Sequence, residues 1–172
     1  MMQIPEKPKA FLFDIDGTLT DSDPVHFQIF QELITKVPTI KNPSNEPIDH
    51  DFFRKYIAGG SNPIIFKNLY PDLSEKEHEK MWTEKEKEYR KRAITSLVRL
   101  NGLSEFMEQI DAKSIPKVAV TNAPRENAEM MLKALELDIW FKDLVVLGGE
   151  CEHAKPHPQP YIDGMRLLGL DP

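Results

Sequence analysis

The sequence has a single cysteine, Cys151, and no apolar run long enough to cross a membrane. One thiol excludes a disulfide framework and a Cys-rich zinc site, and it fits a reducing compartment. A transmembrane span needs about 18 consecutive apolar residues, so we expect no membrane partner. Residues 1–9 contain neither an apolar signal core nor the Arg and Ser content of a transit peptide. These absences predict a soluble cytoplasmic protein.

The chain also lacks an excess of positive charge. Lys and Arg number 22 against 28 Asp and Glu, which leaves a formal net charge of −6 over the 172 residues. A protein that follows a nucleic-acid backbone needs a basic face, so we expect no nucleic-acid partner. An anionic substrate would have to be attracted by local groups.

Apolar segments alternate with helical patterns at the beginning of the chain and again after about residue 100. They predict strands over 10–16, 117–121 and 144–147, and helices over 103–110, 125–137 and 161–168. Strand–helix alternation is typical of an α/β fold with a parallel sheet and right-handed crossovers.

Only helical patterns occur between the first strand and this second part. They predict helices that begin near Pro24, cover 51–57, begin at Asn62, and run from Ser74 to about Lys91. The last of these is densely charged, and we interpret its charges as a solvent-exposed helix face. We therefore predict an α/β core formed by 1–22 and 96–172, with an inserted helical domain at 23–95.

Two acidic residues, Asp14 and Asp16, end the first apolar run. Residues two apart on a strand point to the same side, at the strand end where open α/β sheets bind ligands. Two like charges this close need a cation or a shared proton, and Mg²⁺ with its preference for oxygen ligands is the simplest solution. An isolated Asp-x-Asp more often only begins a turn, but here Gly17, Thr18 and Leu19 follow it.

The segment Phe11-Leu-Phe-Asp-Ile-Asp-Gly-Thr-Leu19, followed by Asp21-Ser22, resembles the first signature of the haloacid dehalogenase-like hydrolases. The resemblance implies that Asp14 attacks phosphorus to form an aspartyl-phosphate and that Asp16 acts as general acid and base. It also implies that the Asp14 side chain and the Asp16 carbonyl hold Mg²⁺.

Two further segments match later signatures of the same superfamily. Thr121-Asn122 closes the second core strand, and the resemblance implies that Thr121 and the Asn122 amide bind the phosphoryl group. Lys155, in Ala154-Lys-Pro-His-Pro158, matches the lysine that neutralises the nucleophile and the substrate phosphate. Taken alone, Thr-Asn before a helix is usually a cap, and most lysines are surface charges.

The inserted helical domain contains three further candidate residues. The resemblance to the subgroup with a helical cap makes His26 a candidate substrate contact, although an isolated histidine is more often a core or surface residue. Gly59 and Gly60 resemble the cap loop that selects the leaving group, and they could equally end a helix.

The segments Thr121–Glu129 and Gly148–Tyr161 look most like plant-type broad-range sugar-phosphate phosphatases. The resemblance implies a three-layer Rossmann-like core with a helical cap. It also implies Mg²⁺-dependent hydrolysis of small sugar or polyol phosphates. A β-phosphoglucomutase-like sugar-phosphate mutase and a non-catalytic phosphate-binding or interaction module are the alternatives.

The superfamily's fourth signature, an acidic pair after a fourth core strand, has no counterpart in these 172 residues. We expect a C-terminally incomplete chain, or else a short variant that recruits a partner. Either way we expect weak Mg²⁺ binding, slow hydrolysis, and an apolar edge at the first strand that permits self-association.

Overall fold

The computed structural model describes residues 8–44 and 46–172, and these form two compact units. Among the described residues, the core unit comprises 8–21 and 94–172, and the helical unit comprises 22–44 and 46–93. That the first unit acts as a hydrolase core and the second as a cap stays a prediction.

The core unit contains three strands, β1 (Phe11–Phe13), β2 (Lys117–Thr121) and β3 (Val145–Leu147). They form a parallel sheet in the order β1-β2-β3, with Phe13 opposite Ala119 and Thr121 opposite Leu147. The predicted α/β fold is confirmed. β1 is shorter than predicted, because Asp14 to Asp16 follow the strand and belong to a turn.

Four helices of the core unit flank this sheet. They are α5 (Leu103–Ala112), α6 (Arg125–Ala134), α7 (Asp138–Phe141) and α8 (Gln159–Leu167). The sequence patterns did not reveal α7. They also placed the end of α6 three residues too late and the start of α8 two residues too late.

Successive side chains of β1 point to opposite faces of the sheet, and each face is covered by helices. Phe11 and Phe13 pack edge-on against Phe106 of α5, and Phe13 also contacts α7. Leu12 points to the opposite face. There α8 approaches so closely that a Cβ at Gly164 would lie 3.2 Å from Val120 and 3.4 Å from Leu12. The core unit is therefore a three-layer α/β/α sandwich, with helices on both faces of the sheet.

Within the described residues, β1 pairs with β2 alone and so lies at an edge of the sheet. The expected edge position of the first strand is thus observed, whereas self-association through it stays a prediction.

No helix among residues 8–44 and 46–172 has the length and hydropathy needed to span a bilayer.

The helical unit is built from α1 (Asp23–Lys36), α2 (His50–Tyr56), α3 (Asn62–Leu69) and α4 (Glu75–Ser96). α4 runs five residues past the predicted end at Lys91 and continues beyond Ala93 into the core unit. The buried side chains of the helical unit are mostly aromatic and aliphatic: Phe30, Ile34, Ile48, Phe53, Ile57, Ile65, Phe66, Leu69 and Tyr70.

The start of α4 follows its sequence pattern closely. The Glu77 carboxylate accepts hydrogen bonds from the Ser74 amide at 2.8 Å and the Ser74 hydroxyl at 2.6 Å. The Glu77 amide in turn donates to the Ser74 hydroxyl oxygen at 3.4 Å, which completes a reciprocal capping box.

The interpretation of the α4 charges as a solvent-exposed helix face was wrong at two positions. Lys85 and Glu86 are only 6% and 7% exposed, and they form a salt bridge with each other. Asn62 completes the cluster, because its amide donates to Glu86 at 2.7 Å and its carbonyl accepts from Lys85 at 3.1 Å. Burial of these charges is tolerated because each one has a partner.

Candidate active site

The carboxyl ends of all three strands lie at one edge of the parallel sheet. Asp14 follows β1, Asn122 follows β2, and Gly148 follows β3. Asp14 and Asp16 were expected on one continuous strand, and this expectation was wrong, because both residues lie beyond the last strand residue, Phe13. The turn that follows β1 determines their placement.

Asp14 and Lys155, 141 positions apart in the sequence, meet at this edge. The Lys155 ammonium lies 2.6 Å from Asp14 Oδ1 and also donates to the Val120 carbonyl at 3.0 Å. Asp14 Oδ1 accepts a further hydrogen bond from the Ile15 amide at 2.8 Å. The lysine side chain is 13% exposed and the aspartate side chain 34%, so the carboxylate remains the more accessible member of the pair.

Asp16 lies in the tight turn between β1 and the helical unit. The Ile15 carbonyl accepts hydrogen bonds from the amides of Thr18 at 3.2 Å and Leu19 at 2.9 Å. Gly17 adopts a φ of +73°, a left-handed conformation that favours glycine, and its amide donates to the Thr20 carbonyl at 2.8 Å. These bonds fix the backbone on both sides of Asp16.

Thr20 connects the Asp16 turn to the segment that follows α4. Its buried hydroxyl donates to the Val98 carbonyl at 2.8 Å, and the Leu100 amide donates to the Leu19 carbonyl at 3.0 Å. Sequence reasoning did not identify this connection, which joins residues 78 positions apart and has no local pattern.

Thr121 and Asn122 lie at the end of β2, at the same edge of the sheet as Asp14. Thr121 is 1% exposed, and its hydroxyl oxygen accepts a hydrogen bond from the Ala123 amide at 3.0 Å. The Asn122 side chain bonds to the Lys155 backbone in both directions: it donates to the carbonyl at 2.9 Å and accepts from the amide at 3.1 Å. The core unit thus brings together Asp14, Lys155 and Asn122.

An ion pair beside this edge was missed by the sequence analysis. The Arg125 guanidinium forms a bidentate bridge with the Glu150 carboxylate at 3.0 and 2.6 Å. This hydrogen bonding raises the pKa of Arg125 above its ordinary value. The bridge ties the first residue of α6 to the short 3₁₀ turn Gly148–Glu150.

The remaining candidates belong to the helical unit. The His26 ring stacks on Tyr89 with centroids 4.1 Å apart, and its buried Nδ1 atom has no hydrogen-bond partner among the described residues. Burial, assisted by the nearby Lys85 charge, lowers the pKa of His26 to about 3. A role in substrate contact stays a prediction for this residue.

Gly59 and Gly60 separate α2 from α3. Gly59 has a φ of +70°, and a Cβ at Gly60 would lie 2.8 Å from Ile65 Cγ1. The backbone conformation at Gly59 and the packing at Gly60 therefore favour glycine, and their role in selecting the leaving group stays a prediction.

The sequence profile of the haloacid dehalogenase-like hydrolases matches residues 8–172. The chain belongs to this family. The resemblance predicted from Asp14, Asp16, Thr121 and Lys155 is confirmed at the level of the family.

Relatives within the haloacid dehalogenase-like family include enzymes with different phosphorylated substrates. The chain is 26% identical over 165 residues to the phosphorylated carbohydrates phosphatase of Thermotoga maritima, covering 95% of this chain and 72% of the relative. It is 28% identical over 172 residues to the pyrophosphatase PpaX of Bacillus cereus, covering 96% and 71%.

A solved structure of the same family supports the fold. A family IA, variant 3 hydrolase from Entamoeba histolytica superposes with a TM-score of 0.80 at 23% identity, covering 95% of this chain and 71% of that one.

The donor atoms at this site suit a hard divalent cation. Among the described residues there is no cluster of three or more His, Cys, Asp or Glu side chains that could hold a metal. Mg²⁺ typically requires fewer than three protein side chains, since it keeps several waters and binds one or two carboxylates together with substrate phosphates. The accessible Asp14 carboxylate and the oxygens of Asp16 fit that mode.

Proposed function

We propose that this hydrolase is a Mg²⁺-dependent phosphatase that cleaves small sugar or polyol phosphates through an aspartyl-phosphate on Asp14. The observation that carries the proposal is the contact between Lys155 Nζ and Asp14 Oδ1 at the carboxyl edge of the sheet. A carboxylate held beside an ammonium at this edge is a suitable nucleophile for a dianionic phosphate.

In the first step, an Asp14 oxygen forms a bond to phosphorus and the bond from phosphorus to the ester oxygen breaks. Asp16 gives its proton to the departing sugar oxygen. In the second step, Asp16 takes a proton from water, the water oxygen bonds to phosphorus, and the bond between Asp14 and phosphorus breaks. The enzyme returns to its starting state with phosphate released.

The other residues of the edge bind the phosphoryl group and reduce repulsion. The Lys155 ammonium offsets the negative charges of Asp14 and the phosphate, which oppose each other during attack. The Thr121 hydroxyl oxygen accepts from the Ala123 amide, and we assign its own hydrogen to a phosphoryl oxygen. Mg²⁺, held by the Asp14 carboxylate and the Asp16 carbonyl, supplies further charge neutralisation when bound.

We assign the selection of the substrate to the helical unit, with His26, Gly59 and Gly60 as its candidate residues. The name of the Thermotoga maritima relative supports phosphorylated carbohydrates as the substrate class. The Bacillus cereus relative supports pyrophosphate as the second candidate.

The test is phosphate release by the purified chain from hexose 6-phosphates, pentose 5-phosphates, glycerol phosphate and pyrophosphate. We expect slow, Mg²⁺-dependent release that is greatest with a sugar phosphate and is lost with EDTA or in Asp14→Asn. If phosphate is released from pyrophosphate alone, the substrate is pyrophosphate and not a sugar phosphate. Conversion of glucose 1-phosphate to glucose 6-phosphate without release would indicate a mutase. Mg²⁺-dependent phosphate binding without either reaction would indicate a binding module.

A further inference from the structure

The Asn122 side chain is the only one among the described residues shown to hydrogen-bond to both the amide and the carbonyl of Lys155. Its Nδ2 donates to the Lys155 carbonyl at 2.9 Å, and its Oδ1 accepts from the Lys155 amide at 3.1 Å. A side-chain amide that pairs with both groups of one residue fixes the rotation of that residue's backbone as well as its distance.

This anchoring matters because Lys155 lies in an irregular segment between the 3₁₀ turn Gly148–Glu150 and α8. No strand pairing holds it in register. Its side chain must nevertheless span from this segment to Asp14 Oδ1 at 2.6 Å and the Val120 carbonyl at 3.0 Å. The Asn122 bonds connect the segment to β2, the central strand of the sheet.

Gly148 provides an independent observation of the same arrangement. A Cβ built at Gly148 would lie 2.1 Å from Asn122 Oδ1, the atom that accepts from the Lys155 amide. No such contact exists at the neighbouring Gly149, where a Cβ meets no described atom within 4 Å. Of the two glycines that follow β3, only Gly148 lies against the Asn122 amide, and its lack of a side chain leaves room for that amide.

We propose that Asn122 is a positioning residue for Lys155 and that Gly148 is required because any larger residue displaces the Asn122 amide. Asn122 acts through its side chain, in addition to the phosphate contact predicted for its backbone amide. The effect on turnover rests on the proposed phosphatase function, whereas the positioning of Lys155 does not.

The positioning is tested first without any reaction, by the rate at which Lys155 is acetylated, measured by peptide mass spectrometry. Lys117 is the internal reference, since it is 18% exposed and lies 2.6 Å from Asp111, close to the 13% and 2.6 Å of Lys155. We expect Lys155 in Asn122→Ala and Gly148→Ala to react about tenfold faster relative to Lys117, the factor expected when ordinary hydrogen bonds are lost.

Gly149→Ala is the matched control and is expected to leave the ratio unchanged. Asn122→Asp keeps the acceptor for the Lys155 amide and loses the donor to its carbonyl, so an intermediate ratio is expected. It also serves as a second variant if Asn122→Ala does not fold. An unchanged Lys155 ratio in the folded Asn122 variants overturns the inference.

Turnover provides the second readout. We expect Gly148→Ala to lower kcat by about 10²-fold with little change in KM, since small displacements of a positioned group have effects of this size. The Asn122→Ala/Gly148→Ala double variant should be no slower than Asn122→Ala alone, because alanine lacks Oδ1, the one described atom that the new methyl group would meet within 3.0 Å. Additive losses overturn the inference.

The two proposals fail differently. If no substrate is turned over and the acetylation ratios still change as expected, Asn122 positions Lys155 and the phosphatase function is wrong. If substrate is turned over and the ratios do not change, the function stands and the positioning role is wrong.

Discussion

Each unit contains a lysine–carboxylate pair with a largely buried lysine, and the two pairs differ in what surrounds them. In the core unit, the side chains of Lys155 and Asp14 are 13% and 34% exposed, and loops at the strand ends hold them. In the helical unit, the side chains of Lys85 and Glu86 are 5% and 9% exposed, on the regular helix α4.

The difference lies in which partners complete each pair. Asn62 closes the Lys85–Glu86 pair by bonding to both residues, and the Lys85 ammonium lies 5.3 Å from the centre of the Phe30 ring. The Asp14 carboxylate keeps a third of its surface open, so a ligand can reach it. We therefore expect the first pair to act in chemistry and the second in stability.

Removal of the core pair's cation is expected to have the largest effect. Lys155→Met should lower kcat for the best substrate by about 10³-fold, the size of effect seen when a charge-stabilising group is lost. Steady-state kinetics measures this, and thermal unfolding should show a fully folded variant. Turnover within a few-fold of the wild type would contradict a catalytic role for Lys155.

Removal of the helical unit's cation should affect stability instead. Lys85→Met leaves Glu86 buried without its cation, and breaking such a pair costs about 3–5 kcal/mol in the free energy of unfolding. Urea denaturation measures the loss.

The matched control for Lys85→Met is the double variant Lys85→Met/Glu86→Leu. It removes both charges, and we expect it to be close to the wild type in stability. If the single variant is as stable as the double variant, Glu86 does not depend on Lys85.

The smallest effect concerns His26, a neutral buried neighbour of the Lys85–Glu86 pair. Its pKa is lowered from its ordinary value of 6.5 to about 3, chiefly by burial and then by the Lys85 charge. Between these values the unfolded chain binds a proton that the folded chain does not. The stability contributed here is therefore complete above about pH 6.5 and falls as the pH falls, by at most about 1.4 kcal/mol per pH unit.

His26→Phe keeps a ring to stack on Tyr89 and removes the titrating nitrogen atoms. Urea denaturation at several pH values between 4 and 7 should show a shallower loss of stability towards acid than in the wild type. Equal slopes for the two proteins would show that His26 does not titrate in this way.

The parts of the fold that local patterns determine could be predicted from the sequence. The Ser74–Glu77 capping box and β2 were found as expected, since each depends on a few adjacent residues. The burial of Lys85 and Glu86 was not predicted, because they were assigned to the exposed face from their charge and not from their position on the helix. With Trp82, Tyr89 and Ala93 they have the three- and four-residue spacing of one helix face, so helical periodicity alone contained the signal.

The residues of the candidate site could be predicted from their motifs, but some of the contacts between them could not. The family resemblance implied that Lys155 neutralises Asp14, and the two side chains do lie 2.6 Å apart. The two bonds from Asn122 to Lys155 span 33 residues, and the space beside Gly148 exists only in the folded sheet. Such long-range relations follow from packing and not from any local pattern.

The register of the sheet has a consequence for how this sequence can change in length. The side chains of the candidate site begin at Thr121, the last residue of β2, and at Asp14, directly after β1. Thr121 is paired with Leu147 of β3. One residue inserted within β2 would turn Thr121 to the opposite face of the sheet and shift Asn122 away from Lys155. Insertions and deletions should therefore be eliminated within the core strands.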